Sequence, residues 1–262
     1  MAPALRYICV NSSRVLALGW PRRQGLKAEA GDGLPAAPRS TRQPGIPPAT
    51  YNMLQQVNTY LEALRVQRWD DHRYYHHSRI NQSLHLLSAI AFLVSYGLLF
   101  VDPAQAALLA WCVSMTSRQA GHFFFEPRGY DHVNQATDEH KEDIKIGYNI
   151  QRKIVLLAIW VLIPLLLWLQ PSVFGLITPA TDLHGLIHDV GIAWLSLGVG
   201  GLLFRVAQLW IQQDLMTGAA WMFKILTDPF HDIMLYYKSP LYLLRGELID
   251  PMTHVAAHPS QV

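Results

Sequence analysis

Four long apolar segments constrain the fold of this chain more than any other feature of its sequence. They lie at residues 83–101, 104–125, 154–169 and 191–211. A helix needs roughly 20 apolar residues to cross a bilayer, and a helix satisfies its backbone polar groups within the segment itself. We therefore predict an all-α, polytopic membrane protein with four transmembrane helices and amphipathic flanking helices.

The composition agrees with a membrane class and excludes several others. The 262 residues are 51% hydrophobic and 15% charged, with a net charge of +2. That charge is too small to indicate a nucleic-acid partner. Two cysteines cannot build a disulfide framework or a cysteine-rich zinc motif. The expected partners are the membrane and a lipid or fatty acid, and a homo-oligomer is left open.

Turn and charge signals set the predicted topology. Asp102 and Pro103 match an N-cap and a first helical residue, which predicts a tight turn between the first two spans. Lys and Arg cluster before the first span, between the second and third, and after the fourth, whereas residues 170–190 have none. The positive-inside rule places both termini and the central loop in the cytoplasm of a bacterial inner membrane or the endoplasmic reticulum.

The two ends of the chain differ from the membrane domain, which we assign to residues 51–250. Residues 1–50 are rich in Pro, Gly, Ala and Arg and are predicted to be a disordered or dispensable extension. A transit peptide, or a true start at Met53, remains an alternative. Residues 54–70 have the spacing of an amphipathic helix. Residues 251–262 form a polar tail.

Histidines crowd the predicted cytoplasmic ends of the first two spans. On one continuous helix, His77, Asn81 and His85 would share a face, as would His122 and Glu126. Histidine with carboxylate and without thiolate suits iron, zinc or manganese. The predicted metal ligands are His76, His77, His85, His122, His132, His140 and His231.

Other interpretations of these histidines stay open. A single histidine at an interface is more often a hydrogen-bonding group than a metal ligand. The histidine-rich residues 70–77 would then be a solvated segment at the membrane surface, and residues 139–143 a charged loop. His184 and His188 are expected to be loop residues on the opposite side of the membrane. Arg79, Arg118 and Arg128 would form a basic rim that attracts the carboxylate of a lipid substrate, with Arg79 and Arg118 as the predicted substrate-binding residues.

Two motifs resemble those of a known family. His76, Asn81 and His85 have the pattern His-x4-Asn-x3-His, and residues 119–126 have the pattern Gln-x-Gly-His-x3-Glu. Both are similar to the membrane 2-hydroxy fatty acid dioxygenases of fatty-acid α-oxidation, known from yeast phytosphingosine breakdown. The resemblance implies Fe(II), O2 as co-substrate and cleavage of the acyl chain between C1 and C2. It implies that His76, His85 and His122 bind the iron, with Asn81 and Glu126 as supporting catalytic residues.

Two alternatives compete with that function. The histidine-motif fatty acid hydroxylases and desaturases hold two irons, so the sequence leaves one or two ions open. A non-catalytic membrane scaffold or lipid-binding protein is the alternative from another class.

Overall fold

The computed structural model describes residues 48–126, 129–146 and 150–252, and this part of the chain is all-α, with 77% helix and no strand. The predictions for residues 1–47 and for most of the polar tail lie outside these residues. The helices are α1 (Pro48–Tyr75), α2 (Arg79–Leu98), α3 (Pro103–Leu109), a π-helical segment (Ala110–Met115), α4 (Thr116–Phe124), α5 (Asp138–Ile144), α6 (Ile150–Leu169), α7 (Leu183–Gln212), α8 (Leu215–Tyr236) and α9 (Ser239–Leu244).

The first two apolar segments form a helical hairpin. The side chain of Asp102 accepts a hydrogen bond from the Gln105 amide, and Pro103 opens α3, as the sequence predicts. From there α3, the π-helical segment and α4 follow one another without interruption to residue 124. The Thr116 hydroxyl donates to the Trp111 carbonyl at 2.9 Å and so satisfies a carbonyl within the π turn. Because the chain reverses at residue 102, the end of α4 lies beside the beginning of α2.

Two helices of the described chain are long and apolar enough to cross a membrane by length and composition, namely α6 over Arg152–Leu169 and α7 over Leu183–Gln212. They correspond to the third and fourth predicted spans. That the two helices of the hairpin also cross the membrane therefore remains a prediction.

The expectation that His184 and His188 are loop residues is wrong. The Asp182 carboxylate accepts from the Gly185 amide and caps α7, and both histidines lie in the first two turns of this helix.

Tryptophans join the hairpin to α6 and α7. The Trp111 indole donates to the Trp194 carbonyl at 2.9 Å, and the Trp194 indole donates to the Trp160 carbonyl at 3.0 Å. Gly191 brings α7 against α3, since a Cβ at this position would lie 2.6 Å from the Ala104 carbonyl oxygen. This packing fixes α6 and α7 relative to the hairpin.

The C-terminal end of the described chain holds the link between α1 and α2. The Asp250 amide donates to the His77 carbonyl at 2.7 Å, and the Arg79 amide donates to the Leu248 carbonyl at 2.9 Å. The Asp250 carboxylate also accepts from Gln82 at 2.9 Å. Meanwhile α8 packs on both α1 and α2. The α1–α2 link is thus held from two sides.

Candidate metal centre

Three histidines converge where the α1–α2 link meets the hairpin. His76 lies in the link, His85 on α2 and His122 on α4, and their ligand nitrogens all lie within 4.8 Å of one another. The Nε2 atoms of His76 and His85 are 3.1 Å apart. Two nitrogens bound at about 2.1 Å to one ion at a right angle lie about 3.0 Å apart. The group can therefore hold a metal ion.

The break between α1 and α2 decides which histidine joins this group. The Ser78 hydroxyl caps α2, the Asn81 amide donates to the Tyr75 carbonyl at 2.9 Å, and Gln82 donates to the His76 carbonyl at 2.8 Å. The prediction that His77 shares a helix face with Asn81 and His85 is wrong, because the helix begins only at residue 79. His77 points away from the centre and instead donates to the Arg73 carbonyl.

Two of the three rings are hydrogen-bonded to an oxygen at Nδ1. The His76 Nδ1 donates to the Asp71 carbonyl at 2.9 Å, and the His122 Nδ1 donates to the Glu126 carboxylate at 2.8 Å. The His85 Nδ1 lies 3.5 Å from the Asp232 carboxylate and makes no hydrogen bond within the described chain. Such partners fix the tautomer and orientation of a metal-binding imidazole and raise its basicity. The single proton of each neutral ring is then on Nδ1, which leaves the Nε2 lone pair of His76 and of His122 available.

Burial keeps the centre in the form that binds metal. His76 is 1% exposed and His85 is 0% exposed. Burial lowers the pKa of His76 well below its ordinary value. The neutral imidazole is the ligating form, so this ring needs no deprotonation step at neutral pH.

A buried ionic network surrounds the centre on the side of α8. Arg118 lies 2.9 Å from Asp232, and Lys224 lies 2.7 Å from Asp228 and 3.3 Å from Asp71. Burial opposes the charged form of Lys224, yet the facing carboxylates raise the pKa of its ammonium above the ordinary value. These carboxylates are engaged by cations, which leaves the imidazoles as the ligand set.

Tyr236 of α8 closes the centre from the same side. Its side chain is 2% exposed, and its ring centroid lies 5.7 Å from that of His76 and 6.2 Å from that of His85. Burial raises the pKa of the phenol well above its ordinary value, so the hydroxyl stays protonated; it is hydrogen-bonded to Nδ1 of His72 at 3.0 Å. Sequence reasoning missed Tyr236 and Asp232, since nothing local to α8 marks which of its residues face α2.

The remaining predicted site residues lie outside the three-histidine group in the described chain. His132 and His140 are exposed on the segment after α4. His231 lines a small polar cavity between α1 and α8. Arg79 pairs with Asp250 at 2.9 Å. Asn81, predicted as catalytic, is fully buried beside the centre, and its amide holds the Tyr75 carbonyl.

No protein-family model matches this chain, and neither a curated protein nor a solved structure does. The chemistry of the centre is therefore argued from its own geometry.

Proposed function

We propose that this chain is a membrane-embedded, iron-dependent dioxygenase that shortens a 2-hydroxy fatty acid by cleaving its C1–C2 bond. The observation that carries the proposal is the group of His76, His85 and His122, whose ligand nitrogens converge and in which His76 and His122 are oriented by hydrogen bonds at Nδ1. These are also the three histidines that the family resemblance implies as ligands.

The donor set favours one iron over the alternatives. Three imidazoles without thiolate suit a first-row metal, and three protein ligands leave coordination positions for substrate and O2. Iron(II) bound there would supply the redox chemistry that O2 requires. The nearby carboxylates of Asp228 and Asp232 are paired with Lys224 and Arg118, which supports one ion over two.

The depth of the centre favours the polar end of a lipid. His85 lies close to the beginning of the first apolar segment, and His122 lies close to the end of the second. A fatty acid in a bilayer keeps its carboxylate at the level of the head groups, where segment ends also lie. C1 and C2 of the acid would then reach the centre, whereas a methylene in mid-chain would not.

The chain's own residues have defined tasks in this reaction. Glu126 holds the ring of His122, Asp232 places a negative charge 3.5 Å from Nδ1 of His85, and Tyr236 places a neutral phenol beside the centre. The overall reaction balances without an external reductant: one 2-hydroxy acid and one O2 give an acid shorter by one carbon, CO2 and water.

The test uses purified full-length protein loaded with Fe(II) and supplied with O2 and a long-chain 2-hydroxy acid. We expect about one iron per chain and an acid shorter by one carbon, formed without added reductant. His85→Ala should lose most of the iron and the activity, while the matched control His184→Ala, exposed on α7, should keep both.

Three results would contradict the proposal. Hydroxylation or desaturation of an ordinary acyl lipid, with no turnover of the 2-hydroxy acid, would place the chain with the di-iron hydroxylases. Full iron content in His76→Ala, His85→Ala and His122→Ala would place the metal elsewhere. No bound iron and no turnover would favour a scaffold or lipid-binding protein.

A further inference from the structure

The polarity of α8 is the reverse of that of a helix on a water-exposed surface. Its charged side chains are all buried and belong to the network around the centre, namely Lys224, Asp228 and Asp232. Its outer face is apolar, and the side chains there are between 43% and 67% exposed and recur at helical spacing: Phe223, Leu226, Phe230 and Met234. Contact with water would favour the opposite arrangement. The outer face of α8 is therefore suited to an apolar surrounding.

The exposed apolar residues continue past the end of α8. Leu241 and Leu244 of α9 and Leu248 after it are all exposed. Between the two helices, the ammonium of the exposed Lys238 lies 5.2 Å from the ring centroid of Tyr237. Tyrosine and lysine have apolar bodies and polar tips, which suits them to the boundary between hydrocarbon and head groups. The segment thus has the apolar face and the polar edge of a helix that lies in a membrane.

This face adjoins exposed apolar surface on other helices. The Tyr96 hydroxyl of α2 donates to the Leu226 carbonyl at 3.0 Å, and α2 itself exposes Leu87, Ile90 and Val94. The helix α8 also packs against α7, one of the two helices of the described chain that are apolar enough to cross a membrane. A partner protein covers one patch, whereas a bilayer covers the exposed apolar surface of every helix at its level. Apolar surface shared by several helices favours lipid as the occupant.

We infer that the outer face of α8 and α9 lies in the hydrocarbon of the bilayer, so that α8 separates the three-histidine group from lipid. Length and composition do not mark α8 as a membrane helix, because its buried charges offset its outer apolar residues. Hydrocarbon on this face would lie about 10 Å, one helix diameter, from the centre. The inference shares the membrane with the proposed function and none of its iron chemistry.

The experiment uses spin labels on the full chain in vesicles of phosphatidylcholine and phosphatidylglycerol. In a background with Cys9 and Cys112 replaced by alanine, a nitroxide is attached to Phe230→Cys, Met234→Cys or Leu241→Cys. Collisions with O2, which concentrates in hydrocarbon, are compared with collisions with chromium oxalate, which is an ion. The ratio of O2 to chromium oxalate collisions should be at least about tenfold higher than in the control Val133→Cys, because hydrocarbon excludes ions.

Two references define the scale. Val133 is exposed on the segment after α4, and Leu162 is exposed on α6 within a helix that is apolar enough to cross a membrane. Matching circular dichroism of labelled and unlabelled protein shows that each variant is folded. A ratio at Phe230 and Met234 equal to that at Val133 would overturn the inference. Labels shielded from both agents, with spin–spin broadening between chains, would overturn it in favour of a second copy of this chain.

The measurement needs neither iron nor turnover, so its outcome is separate from that of the proposed reaction. Hydrocarbon contact at Leu162 but aqueous contact along α8 would reject this inference and leave the membrane-embedded oxygenase standing. Hydrocarbon contact at both, in a protein without iron or turnover, would support the inference and reject the oxygenase. Aqueous contact at both would reject the inference together with the membrane location.

Discussion

The side-chain oxygen of Asn81 fills the space beside Gly121 that a Cβ would need, and a Cβ at position 121 would overlap that oxygen and lie 3.1 Å from Cγ of Asn81. Asn81 lies one helical turn before His85, and Gly121 immediately precedes His122. This contact therefore sets how closely α2 and α4 approach each other at the level of the metal ligands.

Gly121→Ala should separate the two helices and loosen the centre. We expect a loss of about 1–3 kcal/mol in the free energy of unfolding, as for other overpacked interiors, together with lower metal content. Thermal unfolding and elemental analysis measure the two effects. Gly97→Ala is the matched control, because a Cβ there meets nothing within 4 Å. Equal behaviour of the two variants would show that the Asn81–Gly121 contact is not limiting.

The oxygen partners at Nδ1 should govern metal affinity without being ligands. Glu126→Gln removes the charge that is hydrogen-bonded to His122, and Asp232→Asn removes the charge 3.5 Å from Nδ1 of His85, while both keep side-chain shape. Each should weaken metal binding by about 10–100-fold, measured by competition with a chelator of known affinity. Glu62→Gln breaks an exposed ion pair on α1 and serves as the control. Unchanged affinity in both test variants would mean that the rings are held by packing alone.

Lys224 should be a principal stabilising cation of the network on α8. Lys224→Met leaves Asp228 and Asp71 without this partner, and breaking a buried pair costs about 3–5 kcal/mol. Denaturant unfolding of the detergent-solubilised protein measures the loss. Adding Asp228→Asn to the same chain should restore part of the stability, because it removes a buried charge. A double variant less stable than Lys224→Met would contradict this account.

The same network predicts a pH dependence at alkaline pH. The pKa of Lys224 is raised above its ordinary 10.5 by Asp228 and Asp71, although burial opposes this. A raised pKa adds stability that is fully present below 10.5 and is lost as the pH rises through the folded-state value. The free energy of unfolding of the wild-type protein should therefore decrease as the pH rises above 10.5. The Lys224→Met variant should not show the part of this decrease that is due to Lys224.

Cysteine labelling in intact cells or vesicles tests the topology. In a background with Cys9 and Cys112 replaced by alanine, a cysteine at Val133 should label from the cytoplasmic side. One at Ser172, between α6 and α7, should label from the opposite side. The expectation follows from the basic residues between α4 and α6 and their absence from residues 170–190. Labelling of both positions from one side would rule out the predicted arrangement of α6.

The sequence by itself determined the features that depend on neighbouring residues. Apolar segments of sufficient length predicted helices, because a helix satisfies its own backbone. Asp102 followed by Pro103 predicted the hairpin turn, since capping involves residues only three positions apart. The i, i+4 spacing of His122 and Glu126 predicted their pairing on one helix face; the structure contains the pair, although Glu126 lies just beyond the end of α4.

Only the tertiary structure decided which polar residues meet. His76 joins the centre and His77 does not, because side chains of α2 hold the link between two helices in a conformation that helical periodicity cannot indicate. Asp232 reaches His85 across 147 positions of the chain, and Tyr236 reaches His72 across 164. Contacts between residues so far apart in the sequence depend on how α8 packs against α1 and α2. The spacing of residues within a single helix does not predict that packing.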